Sequence, residues 1–101
     1  MAKMVALFTK PEDVEAFEKH YAEVHTPLVK QMPDLERLEV TRIKGAPVGE
    51  PRSYLMAEMY FSDPKAMYAS ASSEAGMACG MDAFKFTGGN VHMMFAEEEE
   101  G

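Results

Sequence analysis

Residues 54–76 read YLMAEMYFSDPKAMYASASSEAG, and a change of period inside this stretch decides the fold. From Tyr54 to Phe61 the residues are almost continuously apolar, broken only by Glu58, which predicts a strand buried on both sides. Ser62-Asp63-Pro64 follows, a capping residue and then a proline suited to a first helical position. The segment after it predicts a helix through Ala75 with Gly76 as its stop, and one or two further helical turns between Met77 and Phe84.

Toward the N-terminus, KMVALFT at residues 3–9 is short, apolar and strand-like. Pro11 at a first helical position, with Glu12 and Asp13 in a first turn, marks a helix start. Val14, Phe17, Tyr21, Val24, His25 and Leu28 then recur at three- and four-residue steps, with Glu15, Glu18, Lys19 and Glu23 on the other side. Pro27 disfavours helical geometry at Thr26, so the helix is expected to end or bend near His25, with a shorter turn over residues 27–32. Pro33-Asp34 is a turn signal, residues 38–43 alternate like a strand, and residues 44–53 hold two glycines and two prolines and read as a loop. After Gly88-Gly89, NVHMMFA at residues 90–96 reads as the last strand.

The order is β-α-β-β-α-β. Right-handed crossovers place both helices on one face of a four-stranded antiparallel sheet, an α+β, ferredoxin-like architecture. At 101 residues the chain predicts one domain, residues 1–96, followed by an acidic C-terminal tail, residues 97–101. The tail supplies four of the acids behind a net charge of −7; without them thirteen acids face ten Lys and Arg, a balance of −3. That acidity excludes a nucleic-acid partner as the expected one. Cys79, the single cysteine, permits no internal disulfide and no cysteine-based zinc cluster. The apolar run in MAKMVALFT is too short for a secretory or membrane segment, so a cytoplasmic location and no membrane partner are expected.

Two helices cover only one sheet face, yet the strands are apolar on both. Val5 and Leu7 oppose Met4, Ala6 and Phe8; Tyr54, Met56 and Tyr60 oppose Leu55, Ala57, Met59 and Phe61; Met94 and Ala96 oppose Val91, Met93 and Phe95. At about 25 cal/mol per Å² of apolar surface, the uncovered face is costly in water, and a second copy packed sheet to sheet is the economical cover. A homodimer is expected.

On a continuous α-helix, His20 and His25 point about 140° apart, so they do not form a metal pair, and His20 falls on the polar side as a surface residue. Tyr21 and His25 share a face. His25 has two readings: a structural cap at a helix end, or a general base or acid facing a pocket, with Tyr21 as orienter or proton donor. His92 inside an apolar strand is either a satisfied core histidine or a pocket residue. Glu58 poses the same question and is a candidate partner for Arg42 or His92. Cys79 has no base assigned to it, which argues against a nucleophile. Ten methionines suit an adaptable core and a pocket for greasy substrates. No phosphate-binding or dinucleotide-binding glycine motif and no flavin or haem motif is present, so no cofactor and no metal is expected.

The segments HYAEVHTPLVKQMPDLERLEVTRI, YLMAEMYFSDPKAMYASASSE and MDAFKFTGGNVHMMF together resemble the EthD-type family of the dimeric α/β-barrel superfamily, over residues 3–96. The most specific piece is the series Tyr21, His25, Pro27, Leu28, Pro33 and Leu35, supported by Asp82. Asp34 stands where the family usually has glycine, and aspartate tolerates left-handed backbone. The resemblance implies an oxidoreductase or monooxygenase-type enzyme, or a related isomerase or cyclase, acting on an apolar or aromatic metabolite. Its expected catalytic residues are His25, Tyr21 and His92, and Phe17, Leu28, Glu58 and Tyr60 are the expected substrate contacts. The alternative is a non-catalytic protein that holds a hydrophobic ligand or supports a degradation pathway.

Overall fold

The computed structural model describes residues 1–99. Four strands, β1 (Ala2–Phe8), β2 (Arg37–Arg42), β3 (Leu55–Phe61) and β4 (Val91–Glu97), form one antiparallel sheet in the order β2-β3-β1-β4. Helices α1 (Val14–His20), α2 (Thr26–Val29), α3 (Pro64–Ser72) and α4 (Glu74–Thr87) fill the two crossovers, giving the α+β, ferredoxin-like arrangement. Of the acidic tail, Glu97 closes β4 opposite Ala2, and Glu98 donates its N–H to the Met1 carbonyl. Glu100 and Gly101 lie outside the described residues.

The sheet register separates the two faces. Ala2, Ala6 and Phe8 of β1, and Leu55, Ala57, Met59 and Phe61 of β3, are buried against the helices together with Phe17, Tyr21, Val29, Met67, Cys79 and Ala83. The opposite face carries Lys3, Val5 and Leu7, then Met56, Glu58 and Tyr60, then His92, Met94 and Ala96. It also carries Arg37, Glu39 and Thr41 of β2. Its centre is apolar, as the alternation predicts, but charges occupy one end: Lys3 bonds Glu58 at 2.7 Å and Arg37 lies 3.8 Å over the Tyr60 ring.

Helix starts are set locally. Asp13 caps α1 by accepting the Ala16 N–H, so the helix begins at Val14 and Pro11 lies before it rather than at its first position. Asp63 caps α3 and Ser73 caps α4 in the same way, through Ala66 and Gly76. Gly76 is therefore no helix stop. A Cβ there would lie 2.1 Å from the Ser70 carbonyl oxygen, so only glycine lets α4 start this close to the end of α3. The stop is Gly88, in left-handed conformation at φ 64°. Asp34 is left-handed too, at φ 62°.

The helix through residues 14–29 neither ends nor breaks at Pro27. Tyr21–His25 forms a π turn in which the Thr26 N–H reaches back five residues to the Tyr21 carbonyl, and Thr26 itself is helical at φ −58°, ψ −44°. A proline cannot donate to the preceding turn and its ring crowds it; the wider turn takes up both effects without terminating the helix.

Candidate functional site

The π turn changes what the sequence spacing means. Residues five apart diverge on an α-helix but come onto one side where the hydrogen bonds run i to i+5. His20 and His25, at the two ends of this turn, converge on one carboxylate from α4. His25 Nδ1 lies 3.0 Å from Asp82 Oδ2, and His20 Nε2 lies 3.0 and 3.1 Å from its two oxygens. His20 is thus half-buried and paired, not a free surface residue. An ionised carboxylate only accepts, so both ring nitrogens carry hydrogens and donate to Asp82. In the neutral rings this leaves His25 Nε2 and His20 Nδ1 unprotonated.

His25 is 4% exposed, and its surroundings fix the ring. Phe8 meets it edge-on at 6.0 Å, Tyr21 lies 5.3 Å away and Phe86 5.3 Å away between ring centres. Burial lowers its proton affinity below the ordinary histidine value, and the Asp82 hydrogen bond opposes that by stabilising the cation. The neutral ring is therefore the resting form at neutral pH, and it lines a small cavity between helices and sheet. That cavity, of about 30 Å³, is walled by Met4, Ala6, Ala57, Met59 and Met93 of the sheet, Val29 and Met32 beyond the π turn, and Gly76, Cys79, Gly80 and Ala83 of α4. The small residues facing one another across it create the space.

Cys79 Sγ sits 4.0 Å from His25 Nε2, so the thiol does have a base beside it. Burial pushes the thiol up to about 11, and the nearby Asp82 charge adds to this. A raised thiol next to a lowered imidazole is a neutral pair, the reverse of an activated thiolate. Tyr21 is buried, its hydroxyl has no hydrogen-bond partner among the described residues, and burial pushes it up to about 12. It packs on His25 but does not orient it; Asp82 does.

The remaining expected contacts separate. Phe17 stacks on Tyr21 at 5.9 Å and lines a second, open cleft of about 610 Å³, which also holds Lys10, Asp13, His20, Phe86 and Asn90. Leu28 is half-buried against the core and lines neither space. His92, Glu58 and Tyr60 all lie on the far sheet face, with His92 exposed opposite Leu7. Glu58 pairs with Lys3 and not with Arg42 or His92. Parity explains why: Arg42 opposes Leu55 and so faces the helices, where it bonds Glu18. Glu18 accepts from Arg42 Nε at 2.9 Å and from the Tyr54 hydroxyl, and the Arg42 bond holds its carboxyl down at about 2.

Among the described residues no group of three or more His, Cys, Asp and Glu is placed to hold a metal ion, and no helix is long and apolar enough to cross a membrane. Asp82 and Cys79 stand three residues apart in GMACGMDAF, a spacing that puts both on one helix flank. An acid within the otherwise apolar run Met77–Phe84 is the signal for this half of the site.

The chain as a whole is similar to known proteins. The chain is 42% identical to an ethyl tert-butyl ether degradation (EthD) family protein from Bacillus halodurans, with 98% of this chain and 99% of that one covered and a TM-score of 0.93. It is 29% identical over 99 residues to an uncharacterised 11.0 kDa protein of Rhodococcus erythropolis, covering 98% and 96% of the two chains. SnoaB, a cofactor-independent oxygenase from Streptomyces nogalater, shares the fold at a TM-score of 0.70 and 13% identity, over 99% of this chain and 93% of that one. The model of the EthD domain matches residues 9–90. With that match spanning most of its length, the chain belongs to the EthD domain family.

Proposed function

We propose that the protein is a small enzyme in which His25 acts as general base toward an apolar or aromatic metabolite bound between helices and sheet. The observation that carries this reading is a buried imidazole held by a carboxylate on one nitrogen, with the ring lining an apolar cavity and only the Cys79 thiol, at 4.0 Å, beside the other nitrogen. A neutral base in a dry site removes a proton from a carbon next to a carbonyl or from a phenol hydroxyl; the Asp82 carboxylate then stabilises the imidazolium that forms. The enolate or phenolate so generated either rearranges or is oxidised by O2: a ring or α carbon bonds one oxygen atom, the imidazolium returns its proton to give a hydroperoxide, and O–O cleavage with loss of that carbon's remaining hydrogen releases water and leaves a carbonyl. The shared fold with a cofactor-independent oxygenase supports the oxygen branch. At about 30 Å³ the cavity has room for little more than a water, so a metabolite enters by displacing its methionine walls, which are unbranched and adaptable.

Activity in this reading belongs to a homodimer, in which the partner covers the apolar centre of the far face, Val5, Leu7, Met56 and Met94. The test is oxygen uptake and product formation with a panel of phenols and enolisable ketones, wild type against His25→Gln. Turnover should fall by about 10²–10⁴-fold while the thermal midpoint changes little. Equal loss of both, or of neither, returns His25 to a structural role. Saturable binding without product across the panel favours the ligand-carrier alternative.

A further inference from the structure

Asp82 serves two rings at once. His25 is sealed inside, whereas the His20 side chain is 33% exposed and lines the open cleft. Phe86 stacks on His20 at 4.4 Å and 28° between planes, and also touches His25, so neither ring is free to swing away from the carboxylate. We propose that His20 is a positioning residue for His25: through the shared Asp82, the charge on His20 sets how strongly the buried imidazole holds a proton. This rests on the general-base reading of His25 for its catalytic meaning, but the coupling itself does not.

With His20 neutral, the Asp82 charge is available to stabilise an imidazolium at His25. With His20 protonated, that charge is neutralised by an ion pair, and a second cation stands on the far side of one carboxylate from His25. Two like charges separated by a single carboxylate, at the effective dielectric of a partly buried site, interact on the order of one pH unit. The other groups facing His25 do not compete. Cys79 from α4 and Tyr21 from the π turn are both pushed far above neutrality by burial, and Phe8 from β1 and Phe86 are uncharged. Across the cleft from His20 stand Lys10, Glu12 and Asp13. Of the groups bonded to one another here, His20 and Asp82 carry the charges that act on His25.

The π turn is what makes this possible, since on an uninterrupted α-helix His20 faces away from Asp82. The outcome for the reaction is a base whose strength follows the pH of the open cleft although it is itself sealed from water. With His20 charged, His25 is a weaker base and holds its captured proton less firmly than with His20 neutral.

The experiment is an imidazole NMR titration of folded wild type, His20→Gln and His20→Phe from pH 4 to 8, with thermal unfolding to verify each fold. Glutamine keeps a donor for Asp82 without a titrating charge; phenylalanine keeps the stacking on Phe86 alone. In His20→Gln, His25 should protonate about one pH unit higher than in wild type, and the acid limb of kcat/KM should move with it. An unmoved His25 titration in His20→Gln overturns the coupling, as does a shift seen only in His20→Phe, which would trace to the lost hydrogen bond. The titration needs no substrate, so turnover surviving in His25→Gln would sink the general-base reading and leave this result standing.

Discussion

His25 carries both the chemistry and a cost. Its proton affinity is lowered in the folded protein, first by burial. As pH falls through the unfolded-state value near 6.5, the unfolded chain takes up a proton that the native one resists. The unfolded state then binds more protons, so stability falls with falling pH below that point and is flat above it. Denaturant midpoints should therefore drop from pH 7 to pH 5, and His25→Phe should flatten that slope; an unchanged slope would mean His25 is charged in the fold. At this scale the sequence exposed Tyr21, His25 and their shared apolar face. It hid His20, because residues five apart diverge at 3.6 residues per turn and the chain here adopts a wider turn. It hid the role of Asp82 because the partner lies some sixty positions away along the chain. Glu58 and His92 were legible as buried-strand puzzles, but which way they face depends on register, and register is a tertiary property.

Among the elements, strands and their parity were readable within a residue or two, since alternation is a direct print of two-sided packing. Helix ends were less so. Gly76 looked like a stop because glycine commonly ends helices, yet here its lack of a Cβ serves close approach to the Ser70 carbonyl. Gly76→Ala must push α3 and α4 apart and should destabilise by about 1–3 kcal/mol in urea unfolding, a cost of overpacking, whereas Gly80→Ala, with open space around the new methyl, should be near neutral. Equal effects would show that the α3–α4 contact is soft. Pro27 predicted a disturbance at the right place and the wrong kind: the helix absorbed the missing donor by widening instead of ending.

The whole molecule is a sheet with helices on one side and a mixed surface on the other. Leu7, Val5, Met56 and Met94 form the apolar part of that surface, bounded by Lys3, Glu58, Arg37 and Glu39 at one end. A charge placed at its centre is buried without a partner in a sheet-to-sheet dimer. Leu7→Glu should convert a dimer to monomers in sedimentation equilibrium at micromolar concentration, with the helix-side core intact by near-ultraviolet dichroism. A wild type that is itself monomeric there would remove the dimer. The apolar alternation made this surface visible in the sequence; the charges at its end were visible too, but only register shows that they cluster on the same side.

The strand order has a further consequence for how the chain is made. β1 lies between β3 and β4, so its backbone partners are Leu55–Phe61 and Val91–Glu97. β1 is thus one of the two inner strands of the sheet, and its pairing on one side waits for β4, which begins only at Val91. Pairings this distant along the chain close slowly, and an unpaired apolar strand is the kind of surface that chaperones hold.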